Sequence, residues 1–161
     1  MQSRTAADIM DSSELTLTPE IALVTAMRTL LRSKVTGAPV IDADGRICGM
    51  LTEKDCLSAV LRQAMEGAPG ATVGDFMTSP AETVSPSAQL LDITRIFLSR
   101  PFRKIPVVDA DGRVLGQVSR RDLLRALESD KDNPFLYGTA DHTAQDTGGV
   151  HSAMQRALGK S

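Results

Sequence analysis

The sequence predicts an α/β fold in which two copies of one unit, each running helix–β–α–β–β–α, pack together as a pseudo-two-fold pair. Three observations predict it. The first is an internal duplication. A shift of 67 residues carries Asp8 onto Asp75, Met10 onto Met77, Thr16 onto Thr83, Pro19 onto Pro86, Pro39 onto Pro106 and Asp55 onto Asp122, with no gap from 5 to 60. A long exact period of this kind marks a repeated structural unit. The second is a hairpin signature in each copy, two apolar runs flanking Asp42-Ala43-Asp44-Gly45 and again Asp109-Ala110-Asp111-Gly112. The third is helical periodicity, with apolar residues at 23, 24, 27, 30 and 31 in one copy and at 90, 93, 97 and 98 in the other. Helices alternating with short strands define the α/β class. One copy has too few strands to cover both faces of its sheet, so the two must pack on each other.

In chain order, residues 5–10 and 72–77 read as short helical leads, and 15–17 and 82–84 as short β-prone pieces. Thr18-Pro19-Glu20 opens a helix, with Thr18 as N-cap and proline at the first helical position, and Ser85-Pro86 repeats the arrangement. Residues 38–41 and 46–51 form the first hairpin, and 105–109 and 113–118 the second. Thr52 caps a helix to about Met65, and Ser119 caps one to about Glu128. The units therefore occupy 5–65 and 72–129, joined by the Gly- and Pro-containing linker 66–71. Beyond them runs a tail, 130–161. In it 139–149 is polar and mobile, Asn133 to Tyr137 docks on the body, and 150–158 reads as a short amphipathic helix.

Bulk properties narrow the function. The 161 residues carry a net charge of −2, and only 3% are aromatic, with no Trp. That balance gives no general attraction to nucleic acid or to an anionic membrane surface, and no base-stacking platform. No apolar run approaches the roughly 20 residues that span a bilayer, and the N-terminus has no apolar leader, so the expected compartment is the cytoplasm. The two cysteines, Cys48 and Cys56, correspond to Leu115 and Leu123 in the sister copy, and so read as small buried hydrophobes, not as a disulfide or metal pair.

The chemistry concentrates at Thr52-Glu53-Lys54-Asp55 and its counterpart Ser119-Arg120-Arg121-Asp122. Each stands where a strand ends and a helix begins. The hydroxyl caps a free backbone N–H, and the aspartate sits in the first turn, where negative charge suits the helix dipole. The same helix start can also hold a phosphate or a hydroxyl-rich ligand. A carboxylate three residues on can accept both hydrogen bonds of a ribose diol, as acidic residues do in other nucleotide folds.

Pro-Val-[Ile/Val]-Asp-x-x-Gly-x-x-x-Gly-x-x-[Ser/Thr]-x-x-Asp, present twice with a Thr/Ser-Pro start upstream, resembles the CBS domain, named for cystathionine β-synthase. Two tandem CBS repeats make a Bateman module, and the resemblance covers residues 5 to 129. It implies a regulatory sensor of an adenosine-containing ligand (AMP, ADP, ATP, S-adenosylmethionine or NAD), bound in clefts between the repeats. Homodimers and a separate effector protein are implied as well. Residue by residue, it implies Asp55 and Asp122 at the ribose, with Thr52 and Ser119 at ribose or phosphate. It implies Ser85, Leu90, Phe102 and Ile105 as walls of the Asp55 cleft, and Thr18, Leu23, Val35 and Ala38 as walls of the Asp122 cleft. The segment before each Pro-Val strand would face the phosphates of the opposite repeat's ligand, which puts Arg103 and Lys104 with Asp55. Thr36 and Gly37 are their counterparts. The Asp55 cleft is then the phosphate-binding one, because guanidinium offers a fork of donors and Thr36 only a hydroxyl.

The alternative is a ligand-free dimerisation or protein-interaction module in which both motifs are only caps. Leu57, Val60, Leu61, Met65, Leu123, Leu124 and Leu127 exceed what one sheet face needs, which points to a partner face. Catalysis is not expected. The histidines, His142 and His151, lie in the tail, the two aspartates duplicate one role, and no nucleophile elbow, Walker loop or Cys-x-x-Cys occurs. Arg46 and Arg113 stand where a calcium loop needs oxygen ligands, so no metal is expected there.

Overall fold

The computed structural model describes residues 4–12, 15–67 and 70–138. Among the described residues, those up to Leu124 form one compact unit and those from Arg125 to Gly138 belong to a second. Part of the linker and the expectations for 139–161, including His142, His151 and the 150–158 helix, lie outside the described residues.

The first repeat comprises α1 (Ala6–Ile9), α2 (Leu23–Ser33), β1 (Gly37–Ile41), β2 (Ile47–Thr52) and α3 (Glu53–Glu66). The second comprises α4 (Val73–Phe76), α5 (Leu90–Ser99), β3 (Lys104–Val108), β4 (Val114–Ser119) and α6 (Arg120–Ser129), followed by the short α7 (Pro134–Tyr137). Both sheets are antiparallel hairpins of identical register, with Gly37 opposite Thr52 and Lys104 opposite Ser119. Each tight turn is held by an aspartate. Asp42 Oδ1 accepts from the N–H groups of Asp44 (2.9 Å) and Arg46 (3.0 Å), and Asp109 does the same for Asp111 and Arg113. The glycines of these turns have φ of +79° and +84°, which explains why glycine stands there.

The β-prone pieces before α2 and α5 contribute one residue each. Leu17 bonds Pro39 and Ile41 in parallel sense, and Val84 bonds Pro106 and Val108. Thr18-Pro19 then turns the chain away.

The expected helix starts are corrected. Thr18 and Ser85 cap nothing, and the helices begin at Leu23 and Leu90. The cause is tertiary. The carbonyls of Pro19 and Ile21 accept from the N–H groups of Gly74 and Val73 (2.9 Å each), and those of Pro86 and Ala88 accept from Ala7 (3.0 Å) and Ala6 (2.8 Å). These carbonyls cannot also accept intrahelical bonds of a helix starting at residue 19 or 86. The lead helix of each repeat thus docks on the other repeat, and the exchange is reciprocal.

The first core gathers Leu17, Leu23, Ala26, Leu30, Ala38, Val40, Leu51, Cys56, Ala59 and Val73. Cys56 and Leu123 are buried as expected. Cys48 is only half-buried and Leu115 is exposed, so this second pair is not a core position. Both thiols are free, and burial pushes both pKa values up. Leu123 likewise belongs to the interior, whereas Leu57, Val60, Leu61, Met65 and Leu124 are exposed. In the C-terminal unit Asn133 caps α7, and the Tyr137 hydroxyl donates to the Glu128 carbonyl (2.7 Å). Among the described residues, no helix is long and apolar enough to cross a membrane.

Candidate functional site: two cavities related by the duplication

Thr52 leaves β2 and caps α3. Its hydroxyl accepts from Asp55 N–H (3.3 Å), while Asp55 Oδ2 accepts from Thr52 N–H (2.9 Å) and Oγ1–H (3.0 Å). The other oxygen, Oδ1, accepts from Thr78 Oγ1 at 3.1 Å. Thr78 follows α4 and is held by two backbone bonds with Met50, so the carboxylate is positioned by both repeats. A glycine makes that approach possible. A Cβ on Gly49 would lie 2.8 Å from Met77 Sδ and 2.9 Å from the Thr78 carbonyl. Gly116 receives Met10 and Asp11 in the same way, at 2.6 and 2.9 Å.

Beside Asp55 opens a cavity of about 580 Å³, within the range of small-molecule sites. Met50, Leu57, Ala81, Pro101, Phe102 and Pro106 give it an apolar wall. Thr36, Thr52 and Thr78 bring hydroxyls; Lys54, Arg103 and Lys104 bring positive charge; Glu53, Asp55 and Glu82 bring negative charge.

A second cavity, about 540 Å³, opens beside Asp122. Asp122 Oδ2 accepts from Ser119 N–H (2.9 Å), and Ser119 Oγ accepts from Asp122 N–H (3.1 Å). Asp11, Leu15, Ser33, Val35, Gly37, Lys104 and Gln117 complete the lining. Gln117 Oε1 is buried without a hydrogen-bond partner.

The first cavity brings together Thr52, Asp55, Phe102, Arg103 and Lys104 from the expected set, and the second Val35, Ser119 and Asp122. Thr36 lines the Asp55 cavity, alongside Arg103, and not its sister. Ile105 and Ala38 line neither, because both are fully buried in the core. Side chains alternate across a strand, so Lys104 and Pro106 meet the cavity while Ile105, between them, faces the other way. Leu23 is also core. Leu90, Ser85 and Thr18 lie at the helix start and in the turns that dock the opposite lead helix, and are not among the residues of either lining. Thr78 and Asp11 were not foreseen, although a signal existed: they occupy matched positions one residue after Met77 and Met10. Among the described residues no group of three or more His, Cys, Asp or Glu is placed to hold a metal ion.

The CBS domain profile matches residues 6–62 and again 73–129. The chain belongs to the CBS domain family, as a tandem pair. It is 30% identical over 133 residues to a chloroplastic CBS domain-containing protein, CBSX2, of Arabidopsis thaliana, covering 67% of this chain and 56% of that protein. It is 28% identical over 123 residues to an uncharacterised protein of Methanocaldococcus jannaschii, covering 76% of this chain and 42% of the relative. The chain therefore spans about half the length of these curated relatives. The crystal structure of CBSX2 in complex with AMP superposes with a TM-score of 0.68 at 32% identity, over 76% of this chain and 95% of that one.

Proposed function

We propose that this chain is a regulatory module that binds an adenosine-containing ligand, AMP in the first instance, in the Asp55 cavity. The observation that carries it is the meeting there of an aspartate, a basic pair and an aromatic wall across the repeat boundary. The ribose diol would take Asp55 Oδ1, with the Thr78 hydroxyl turning to accommodate it. Arg103 and Lys104 would hold the phosphate, and Phe102 with Met50 and Pro101 would cover adenine. The AMP complex of the similar CBSX2 supports the ligand class. S-adenosylmethionine, ADP, ATP and NAD stay within that class. Because a ligand there touches both repeats, it changes how firmly they are held together, and a separate effector protein would read that change. This is a binding module and not a catalyst.

A ligand that binds only the folded protein raises its melting temperature. AMP at millimolar concentration is expected to raise it in the native chain and in Asp122→Asn, and to raise it clearly less in Asp55→Asn. An unchanged melting curve with every adenosine ligand refutes the proposal.

The exposed apolar residues of α3, with Leu61 63% and Met65 78% exposed, fit a homodimer face. Light scattering should give twice the monomer mass, and Leu61→Asp should halve it.

One observation favours the ligand-free alternative. Thr5-x-x-Asp8 and Thr72-x-x-Asp75 make the same capping box as Thr52-x-x-Asp55, yet line neither cavity. If all are only caps, Asp55→Asn costs about 0.5–2 kcal/mol of stability and nothing else.

A further inference from the structure

The Asp55 carboxylate accepts three hydrogen bonds. Oδ2 takes two, from Thr52 N–H at 2.9 Å and Thr52 Oγ1–H at 3.0 Å, and Oδ1 takes one, from Thr78 Oγ1–H at 3.1 Å. An ionised carboxylate offers about four lone-pair sites, shared equally by its oxygens. Oδ2 is therefore full, and Oδ1 keeps a single open site. A ribose diol brings a pair of donors, so it cannot bind Asp55 through both hydroxyls unless a present donor leaves. The donors are not equally held. Thr52 N–H belongs to the backbone of the cap, and Thr52 Oγ1 is fixed by the Asp55 N–H, which donates to it at 3.3 Å. The Thr78 hydroxyl makes the longest bond to the carboxylate, stands on an exposed residue and can turn to water.

The Thr78 bond is also the one that crosses the duplication. Thr78 follows α4 of the second repeat, and its N–H and carbonyl bond Met50 of β2 at 2.8 and 3.0 Å. Its counterpart under the 67-residue shift is Asp11. An ionised aspartate accepts and does not donate, so Asp11 cannot offer a carboxylate the bond that Thr78 offers Asp55.

Resting on the function proposed above, we infer that Thr78 is a latch on Asp55, which a ligand with a vicinal ribose diol opens and a ligand with a single ribose hydroxyl leaves closed. Thr78 is then a positioning residue. The second ribose hydroxyl gains its bond to Asp55 only as the Thr78 bond is lost. That exchange is nearly even, so the latch removes most of the advantage of a ribonucleoside over a 2′-deoxyribonucleoside. Opening it also releases the side-chain tie between the repeats at this point, which gives the cavity a means of reporting which ligand it holds.

The test is an NMR titration with adenosine and with 2′-deoxyadenosine, which keeps only the 3′-hydroxyl of the pair. It is read at the backbone amides of residues 50–55, so that the Asp55 cavity is followed by itself. The native chain, Thr78→Val and Thr78→Ser are compared, each first checked for a cooperative melt. The native chain is expected to bind both nucleosides with similar affinity. Thr78→Val should bind adenosine roughly two- to twelve-fold more tightly than the native chain, the size of one net hydrogen bond, with 2′-deoxyadenosine unchanged. Thr78→Ser restores the hydroxyl and should behave as the native chain. Should Thr78→Val fail to fold, Thr78→Ala removes the same hydroxyl from this exposed position. In the native chain, hydrogen exchange at the Met50 and Thr78 amides should be faster with adenosine bound than with 2′-deoxyadenosine bound. The inference is overturned if Thr78→Val binds adenosine no more tightly than the native chain, if it strengthens both nucleosides alike, or if exchange does not tell the two complexes apart. Weaker adenosine binding by Thr78→Val overturns it as well, and would make Thr78 a ligand contact. If the signals of residues 50–55 answer neither nucleoside nor AMP in any variant, the proposed function falls with it.

Discussion

The two cavities are one piece of backbone built twice, and they differ where side chains would meet a ligand. Phe102 stands against Val35, Met50 against Gln117, Glu82 against Leu15, and Thr78 against Asp11, while Arg103 and its counterpart Thr36 both line the Asp55 cavity. The hairpin registers and capping aspartates are the same in both. Duplication thus supplies two equivalent shapes, and substitution gives them different chemistry: one has an apolar wall and charged groups of both signs, the other a smaller apolar wall and more carboxylates than cations. A pair of this kind is suited to comparing two ligands as well as to binding one.

Arg103→Ala attacks the largest difference. Loss of one charged hydrogen-bonding partner costs about 1.5–3 kcal/mol, or roughly ten- to a hundred-fold in AMP affinity. Adenosine affinity should be unchanged, both there and beside Asp122, whose lining lacks Arg103. Calorimetry giving equal losses for AMP and adenosine would show that Arg103 acts through the fold and not on a phosphate.

Phe102→Val narrows the comparison, because it gives the first cavity the wall residue of the second. An aromatic contact is worth about 0.5–1.5 kcal/mol beyond its buried area. AMP and adenosine should therefore weaken alike, by roughly two- to twelve-fold. The reverse change, Val35→Phe, should strengthen adenosine beside Asp122. If Phe102→Val weakens AMP only, the aromatic ring supports Arg103 and not the base.

Much of this was legible in the chain because the determinants are local. The duplication, the Asp-x-Asp-Gly turns and the Thr52 and Ser119 caps each depend on residues within a few positions of one another, and the structure has them where periodicity and turn chemistry put them. What was not legible depends on contacts distant in sequence. Nothing local shows that the Pro19 and Ile21 carbonyls are taken by Val73 and Gly74, so Thr18 looks like an N-cap and is not one. Thr78 and Asp11 reach the cavities only because Gly49 and Gly116 admit the opposite lead segment. Ile105 and Ala38, which the family resemblance implies as walls, are fully buried in the core. Leu115 shows the limit of reading burial from residue type alone.

The smallest effect on binding is expected where the motif occurs without a cavity. Thr72-x-x-Asp75 shares the carboxylate half of the Thr52-x-x-Asp55 arrangement: Asp75 Oδ2 accepts from Thr72 N–H at 2.9 Å and from its hydroxyl at 3.0 Å, while the Asp75 N–H donates to the Thr72 carbonyl at 3.2 Å. The first contact, and then the second, holds the Asp75 carboxyl below its usual pKa. A carboxylate with a lowered folded-state pKa stabilises the protein above its ordinary pKa of about 4, and that contribution is lost as pH falls through the lowered value. Melting of the native chain should therefore decline more steeply on acidification than melting of Asp75→Asn. At neutral pH Thr72→Ala should lower stability slightly, because it removes only the hydroxyl's bond to the exposed Asp75 carboxylate. Neither substitution should change AMP or adenosine affinity, because neither residue lines a cavity. A clear loss of affinity in Thr72→Ala would mean that the caps at the repeat junction control cavity shape, and the distinction between a cap that binds ligand and a cap that only starts a helix would collapse.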